Sequence, residues 1–418
     1  MGSQKVARLF ERTKTVCAGR FLLDLPDSME VSYAPVIIRG FTISAFRESS
    51  EAFSLRARSR ETDLKVAKNV RGDSTLEKVS AVEQGTLVAK IFQFGRTTTP
   101  AIERGTPVSY VNVALEGHAH VDGVTFLAKA DAVALEHDAA LKEIISKLRA
   151  VPAGGPPEAP GFCFGAGMLE DPVPVDWSEG LVLFAGSTQY PDLALALRTR
   201  AGVKGEVGRL ARNAQADEDL LPWQKAQLKK IRRGERTAAG VSGDEVLERG
   251  RELNSVDVYA FDWEAVGTPD DVERPTIHLE LSTGHPKQVG AGPVLSRFSE
   301  DDLVELWDRV LVTLRRRPVA AEVPVAAALP TGHELGTCAE AGERCPATGW
   351  WRCDSGPEGT RVLHGACQYL HKGRRLPQAL LLPPQTLWER FRGLQRSYEE
   401  ERRTVWALVD RRHKKRSE

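Results

Sequence analysis

The sequence predicts an α+β protein with two similar tandem α/β sandwich lobes and a small β-rich module at the C-terminal end. Three observations predict this class. A cysteine-glycine motif near the start recurs in the middle of the chain. Each copy is followed by β-like segments, a charged helical segment and a closing amphipathic helix. Four of the six cysteines lie between residues 338 and 367, as in a small cross-linked module.

The repeated motif reads CAGRFLLDLP from Cys17 and CFGAGMLEDP from Cys163. Each copy is a cysteine, any residue and a glycine, then a short apolar run that ends in an acidic residue and a proline. The repeat indicates that one domain plan is used twice. With VPAGGPPEAPG (151–161) as the linker, we predict domains over residues 15–150, 161–318 and 330–413.

In the first lobe, FTISAFRES (41–49) and TLVAKIFQF (86–94) predict strands, and a charged helix is predicted between them. The segment SYVNVALEGHAHVDGVTFLAKADA predicts a β-hairpin that turns at Asp122-Gly123. A closing helix is predicted from about Glu136, because one face carries apolar residues at helical spacing: Ala140, Leu141, Ile144, Ile145 and Leu148.

In the second lobe, EGLVLFAGSTQY and DLALALRTR predict strands, and residues Glu206 to Arg233 predict a helix that is broken at Pro222. VDVYAFDWEAVG and RPTIHLELSTG predict later strands. The last helix is predicted to begin at the N-cap Ser299 and to end at Pro318. Its predicted buried stripe consists of Leu303, Leu306, Trp307, Val310, Leu311 and Leu314.

In the third module, CPATGWWRC (345–353), LPQALLLPP (376–384) and TVWALVDRR are β-like, and LWERFRGLQ predicts a helix. A module of this size has a thin core, so cross-links would stabilise it. Its tryptophans form the core and its rim or, alternatively, exposed anchors for a partner: Trp350, Trp351, Trp388 and Trp406.

The cysteines of this module favour disulfides in an oxidising compartment, because they contain no CxxC pair typical of a zinc ribbon. Cys345 and Cys353 are the two ends of a short Pro/Gly-containing loop, so we predict that they pair with each other. Cys338 and Cys367 would then pair around them.

Charge and hydropathy exclude several classes of protein. The 57 basic and 57 acidic side chains cancel, so no global field draws the chain to nucleic acid or to an anionic membrane. No apolar run approaches the about 18 residues needed to cross a bilayer. Residues 1–14 are polar and charged, and we expect any export signal to have been trimmed from this start.

A search for catalytic chemistry finds little. The chain has no GxSxG elbow and no phosphate-binding glycine loop after a strand. His118, His120 and Asp122 resemble the start of an HxHxD metal motif, but Gly123 takes the place of its next histidine and fits a turn. We therefore interpret these side chains as a solvated strand face, and predict no enzyme, cofactor or metal site.

Two further features concern the lobes themselves. Cys17 and Cys163 occupy equivalent places in the two motif copies, so they either join the lobes by a disulfide or are buried free thiols. Two acidic clusters in loop-like segments of the second lobe could complement a basic partner surface, or could be ordinary polar loops. These candidates are Asp217, Glu218, Asp219, Asp270, Asp271 and Glu273.

Together, CAGRFLLDLP, GFCFGAGMLEDP and VDVYAFDWEAVG with PTIHLELSTG resemble, in the same order, the two-domain immunity proteins of bacterial type VI secretion lipase effectors. The resemblance covers roughly residues 15 to 318. It implies a periplasmic protein, not an enzyme, whose two lobes close like a claw on a cognate phospholipase effector and block access to its active site. We expect a monomer before binding. The alternatives are a hydrolase or metal-dependent enzyme with an unrecognised site, or a structural adaptor of the secretion machinery.

Overall fold

A computed structural model of the chain describes residues 4–69, 71–103, 106–135, 137–202, 207–252, 254–286, 292–317, 336–353, 361–362, 367–370, 372–382, 398–399 and 403–410. It divides into two compact units, Met1–Ala321 and Glu322–Glu418. Both are mostly antiparallel β-sheet, and the helices lie in the first unit, so the α+β class is confirmed for the described residues. None of the described helices is long and apolar enough to cross a membrane.

The helices of the first unit are α1 (Gln4–Leu9), α2 (Ser50–Val66), α3 (His137–Ser146), α4 (Arg209–Asp219), α5 (Pro222–Gln227) and α6 (Glu300–Thr313). Its strands are β1 (Thr13–Ala18), β2 (Phe21–Pro26), β3 (Glu30–Tyr33), β4 (Val36–Ile38), β5 (Phe41–Arg47), β6 (Leu76–Gln84), β7 (Leu87–Glu103), β8 (Thr106–Val121), β9 (Val124–Ala134), β10 (Leu148–Ala150), β11 (Gly161–Phe164), β12 (Gly167–Glu170), β13 (Glu179–Gly186), β14 (Ala194–Ala201), β15 (Leu228–Ala238), β16 (Val241–Arg251), β17 (Asp257–Ala265), β18 (Thr276–Ser282) and β19 (Arg315–Arg316). The second unit contains β20 (Cys338–Glu340), β21 (Gly349–Cys353), β22 (Arg361–Val362), β23 (Cys367–Leu370), β24 (Leu380–Leu382), β25 (Tyr398–Glu399) and β26 (Val405–Asp410).

One large antiparallel sheet crosses the first unit. Its strand order is β15-β16-β17-β18-β14-β13-β4-β5-β9-β8-β7-β6, with β3 beside β13. Read outward from the contact between β13 and β4, each arm places two consecutive strands first and then four more in reverse chain order. Strands from both predicted lobes therefore share one continuous sheet.

Two three-stranded sheets interlock the halves of this unit. The hairpin β1–β2 pairs with β19, which follows α6, and the hairpin β11–β12 pairs with β10, which follows α3. Each hairpin therefore pairs with the strand that follows the closing helix of the other lobe. This exchange means that neither lobe completes its own small sheet.

The local predictions that depend on turn and cap chemistry are confirmed. Asp122 and Gly123 form the turn between β8 and β9, with φ of 47° and 76°. Ser299 caps α6, and its hydroxyl accepts a hydrogen bond from the Asp302 amide while the Asp302 side chain bonds the Ser299 amide. The predicted apolar stripe of α6 is buried: Leu303, Leu306, Trp307, Val310, Leu311 and Leu314. Pro318 lies outside the described residues.

The predicted helix over Glu206 to Arg233 is partly wrong. The predicted break is confirmed, since α4 ends at Asp219 and Pro222 begins α5, but the chain from Leu228 onward is the edge strand β15. The reason is electrostatic, since side chains along β15 reach carboxylates that a helix would not meet. Arg233 bonds Glu248 on β16, for example. The sequence also missed β6.

In the second unit, the described tryptophans are confirmed as the core and its rim. Trp351 and Trp406 are completely buried in one apolar cluster, and Trp350 packs against Tyr369 with 5.5 Å between ring centroids. This cluster lies on a four-stranded sheet of order β20-β26-β21-β23. Trp388 and the predicted helix LWERFRGLQ lie outside the described residues.

The structure contains neither predicted disulfide of this unit, because all four cysteines are free thiols. Cys338 and Cys367 lie on the two edge strands of the sheet, with β26 and β21 between them. Three strand spacings are about 14 Å, twice the Cα separation that a disulfide tolerates. Cys345 and Cys353 are buried in the same apolar cluster, and the Cys345 thiol donates to the Ala347 carbonyl at 3.1 Å.

The two motif copies meet at a disulfide between Cys17 and Cys163, whose Cα atoms are 6.1 Å apart. Beside it, the Gly19 amide donates to the Cys163 carbonyl at 2.8 Å, and the Cys163 amide donates back at 3.1 Å. Gly19 and Gly165, the glycines of the two copies, both turn with a positive φ near 60°. The repeated motif is therefore a pair of hairpin turns joined to each other.

The first motif copy also supplies Arg20, which is buried against three carboxylates of the second lobe. Its guanidinium donates to Asp171 at 2.8 Å, to Glu179 at 2.9 Å and to Glu273 at 3.0 Å. Burial, reinforced by the neighbouring carboxylates and opposed by Arg20, raises the pKa of Glu179 to about 7. We call these four residues the Arg20 cluster.

The disulfide is open to a direct test. Peptide mapping of unreduced protein is expected to recover a Cys17–Cys163 pair and four alkylatable thiols. The bond closes a loop with a sequence separation of 146, so replacing both cysteines by serine should lower the free energy of unfolding by about 3 to 5 kcal/mol. Guanidinium unfolding measures this, with Cys338→Ser as the control that changes nothing. Six alkylatable thiols would contradict the structure.

A pH dependence follows from Glu179. Its pKa is about 7 in the folded chain against 4.5 for an unburied glutamate, so the folded state holds the proton more tightly. This stabilisation is complete below pH 4.5 and is lost as the pH rises through 7, by up to about 3 kcal/mol. Urea unfolding from pH 5 to 8 should show the fall, and Glu179→Gln should flatten it. Glu143→Gln, at an exposed ion pair, is the control, and an equal slope in both variants would refute this assignment.

Candidate partner-binding surface

The two faces of the large sheet are covered differently. A side chain added at Gly117 on β8 would meet the Ile145 side chain of α3 at 2.9 Å. Its neighbours Glu116 and His118 point to the other face, where Glu116 meets Arg60 of α2. The face under α3 belongs to the apolar core, whereas the face under α2 is polar.

Helix α2 is held on the sheet by ionic contacts. Arg60 donates to Glu116 at 2.7 Å, and Arg56 pairs with Glu48. His118 Nε2 lies 2.6 Å from Glu116. Although burial opposes ionisation, hydrogen bonds from His118 and Arg60 lower the pKa of Glu116 to about 2. This helix therefore rests on charge pairs in place of a wide apolar stripe.

The interpretation of His118, His120 and Asp122 as a solvated strand face is wrong for the two histidines, because α2 packs over them. Both histidines are buried under α2. His120 stacks on Phe53, with ring centroids 5.1 Å apart, and its Nδ1 lies 3.0 Å from the Thr125 hydroxyl. Asp122 sits in the hairpin turn, and each histidine has its own partner, so we assign no metal to the three residues.

Helix α4 covers the other arm of the sheet in the same manner. Arg209 donates to Asp262 at 2.7 Å and Arg212 to Glu264 at 2.8 Å, and both carboxylates are buried on β17. Asp262, His278 and Glu280 lie close enough together to hold a cation. However, Arg209 pairs with Asp262, and Arg198 lies 3.3 Å from Glu280. We assign no metal here, because arginines already neutralise both carboxylates.

Among the described residues, no helix covers the middle of the sheet between α2 and α4. On β4, Val36 and Ile38 are buried while Ile37 is 52% exposed, and on β13 Leu183 is buried while Phe184 is 46% exposed. We call this region the open sheet face; its other members, on β5, β13 and β14, are Thr42, Gly180, Val182, Arg198 and Arg200. It combines an apolar centre with a cationic margin. Exposed apolar patches of this kind are typical of protein-binding surfaces.

The first predicted acidic cluster is only partly available to a partner. Asp217 on α4 pairs with Lys230 and Arg233, which hold its pKa down at about 2. Glu218 and Asp219 are exposed at the end of the same helix.

The second acidic cluster lies in the loop between β17 and β18. Asp271 pairs with Arg274, and Glu273 belongs to the Arg20 cluster. Asp270 occupies a turn with φ of 54°. The two clusters therefore lie on different elements, α4 and the loop between β17 and β18. Their roles as partner-binding residues stay predictions.

Sequence reasoning missed both Arg20 and the open sheet face. The signal for the second was present in EGLVLFAG, where Val182 and Phe184 alternate with the core residues Leu181, Leu183 and Ala185. A strand that is apolar on both sides needs cover on both sides. Here one side has none within the described residues.

Comparison with known proteins identifies the family. The model of the Tle cognate immunity protein 4 N-terminal domain matches residues 14–151, and that of the C-terminal domain matches residues 156–319. A search of curated proteins found no match to this chain.

Solved structures share the fold. The apo immunity protein TplEi of the T6SS from Pseudomonas aeruginosa has a TM-score of 0.61 at 18% identity, over 74% of this chain and 98% of that chain. TplEi complexed with "L" peptide has a TM-score of 0.58 at 17% identity, over 73% and 99%. The Tle4–Tli4 complex contains a chain with a TM-score of 0.61 at 17% identity, over 74% and 98%. Both family domains match in order along the chain, which therefore belongs to the Tle cognate immunity protein 4 family and is an immunity protein rather than an enzyme.

Proposed function

We propose that this chain neutralises a cognate phospholipase effector of a type VI secretion system by covering the approach to its active site. The family match supports a toxin-binding role, and a related immunity protein has been crystallised as a Tle4–Tli4 complex. The observation that carries the proposal is the open sheet face, an apolar surface flanked by two helices. A partner that covers it would remove Ile37 and Phe184 from water.

We further propose that residues 15–150 and 161–318 are two similar lobes that grip the effector together, and that residues 330–413 form a separate module. The matching order of the two sheet arms and the paired glycine turns support the likeness of the lobes. The open sheet face draws strands from both lobes. A surface spanning both can reach the roughly 1,600 Å² typical of a stable interface.

The position of the contact is a separate part of the proposal. An effector that bound beside the linker 151–161 would have to compete with hydrogen bonds that the linker already makes. Arg317 donates to the carbonyls of Pro157 and Gly161, both at 2.7 Å. The open sheet face has no such cover. We therefore place the effector on the side of the sheet that carries α2 and α4.

We also propose that the protein works in the periplasm. The disulfide between Cys17 and Cys163 supports an oxidising compartment. The cytoplasm keeps thiols reduced, so a stable structural bond of this kind is rare there. Fractionation of bacterial cells that produce the protein tests this placement.

The function is tested with the cognate phospholipase effector. We expect a stable complex by size-exclusion chromatography and loss of lipid hydrolysis, while the chain alone hydrolyses nothing. Phe184→Asp should weaken inhibition at least tenfold, because a charge would be buried at the centre of the contact. Val312→Asp is the control, since Val312 is 76% exposed on the outer side of α6.

Two outcomes would contradict different parts of this proposal. Separate elution with undiminished hydrolysis would refute the function itself. Full inhibition by Phe184→Asp, with the wild-type complex intact, would refute the open sheet face as the contact.

A further inference from the structure

Two large apolar side chains are exposed side by side where helices α4 and α5 meet. Leu221 is 54% exposed and Trp223 is 58% exposed. Among the tryptophans that the structure describes, five are buried and one is partly buried, so Trp223 is the only exposed one. We call residues 218–225 the α4–α5 corner. Single exposed apolar residues are ordinary, whereas a tryptophan beside a leucine forms a patch of the kind found at contact surfaces.

The α4–α5 corner is held in one conformation by its own bonds. Pro222 is the first residue of α5, where its fixed φ suits a helix. The Leu221 amide donates to the Gln224 side chain at 2.8 Å, and the Lys225 amide donates to the Leu221 carbonyl at 3.0 Å. Leu221 and Trp223 are therefore presented on a backbone that has little freedom left to lose. Such preorganisation favours binding.

The passage from a covering helix to an edge strand does not need this apolar pair. In the arm that ends in β6, α2 leads to the edge through a turn in which the Asn69 side chain accepts from the amides of Arg71 and Asp73, at 2.8 and 3.1 Å. The arm that ends in β15 makes the same passage from α4 through Leu221 and Trp223. The connection alone therefore gives no reason for the exposed tryptophan.

The charges around the apolar pair favour a protein as the partner. Glu218 and Asp219 are exposed at the end of α4, and Lys225 is exposed on α5. An apolar centre with a charged margin is typical of protein interfaces. An anionic bilayer would repel the two neighbouring carboxylates. The corner is therefore complementary to a protein pocket that has an apolar floor and cationic side chains at its border.

The corner lies at the outer edge of its arm, away from the open sheet face. Arg209, near the start of α4, pairs with Asp262 on β17. Asp217, near the end of α4, pairs with Lys230 on β15, so the helix crosses the arm towards its edge. Five strand steps separate β15 from β13, which is roughly 24 Å at the usual strand spacing. A partner held at both places would be fixed in orientation as well as in position.

From this we infer that the α4–α5 corner is a second contact with the effector, in which Trp223 and Leu221 enter an apolar pocket bordered by cationic side chains. The inference rests on the proposed function, because it takes the partner to be the effector. It adds an anchor at the end of one arm to the contact at the open sheet face. Tryptophan suits this role because it buries a large area and has only two side-chain torsions to fix.

The first test measures binding to the cognate phospholipase effector by titration calorimetry. Trp223→Ala is expected to raise the dissociation constant at least tenfold, and Leu221→Ala to raise it by a smaller factor. Leu295→Ala is the matched control, since Leu295 is 72% exposed before α6, and it should leave the dissociation constant unchanged. Circular dichroism melting checks that the three variants are folded.

The second test concerns the charge of the corner. Reversal of Glu218 and Asp219 to lysine is expected to slow association with the effector at low salt, and the difference should shrink as salt is added. Reversal of Glu11 and Glu83, which are exposed outside the corner, changes the net charge equally and is the control. Equal rates for the two double variants would overturn the assignment of a cationic border.

The remaining outcomes separate the inference from the proposed function. Wild-type affinity in Trp223→Ala, with binding weakened by Phe184→Asp, would overturn the inference and leave the proposed function standing. If the wild-type chain itself failed to bind the effector, the proposed function would fail and the inference with it.

Two other occupants of the corner give different results. If it joins two copies, light scattering will show a wild-type dimer and a monomeric Trp223→Ala variant. If it docks on lipid, the wild-type chain but not Trp223→Ala will sediment with vesicles of phosphatidylethanolamine and phosphatidylglycerol. Either result would overturn the inference.

Discussion

The burial of Arg20 is the constraint on which the first unit depends. One guanidinium from the first motif copy satisfies carboxylates from three places in the second lobe: Asp171, Glu179 and Glu273. Removing its carboxylate partners by mutation would leave a buried charge uncompensated, which typically costs about 3 to 5 kcal/mol. The disulfide and the backbone bonds between Gly19 and Cys163 lie directly beside it. The Arg20 cluster, the disulfide and these backbone bonds together form the junction between the two halves of the unit. Strands β4 and β13 pair across the same two halves and join them in one sheet.

A continuous sheet raises the question of what covers its second face. Helices α3 and α6 bring apolar stripes to the first face, where the core lies. Helices α2 and α4 bring arginines to the second face, where Arg60 pairs with Glu116, Arg209 with Asp262 and Arg212 with Glu264. Each helix therefore lies over the carboxylates with which it pairs, and neither helix covers the apolar strands β4 and β13 between them. The open sheet face is thus a consequence of the charge pattern of two helices.

Local chemistry decided which elements could be predicted. The turn at Asp122-Gly123 and the cap at Ser299 depend on residues within a few positions, and both were predicted correctly. Strand β15 was taken for a helix because its many charges resemble a solvated helical face. Only the neighbouring carboxylates of β16 and α6 show why it is a strand, and these come from other parts of the chain.

The cysteines illustrate the same limit. Cys17 and Cys163 stand at the same position in the two motif copies, so the repeat indicates that these two cysteines could meet although they are distant in sequence. The second unit contains no such repeat, so its strand order cannot be predicted from the sequence in the same way. Nothing in the spacing of Cys338 and Cys367 reveals that β21 and β26 lie between them.

The likeness of the two arms makes their differences informative. Arg20 in the first motif copy corresponds to Ala166 in the second, so a single guanidinium serves the junction. Two arginines at equivalent places would face each other near the contact of the hairpins and repel. The extension of β7 and β8 past Thr97 also has no counterpart on β16 and β17. The first difference is required by the junction, whereas nothing in the fold requires the second.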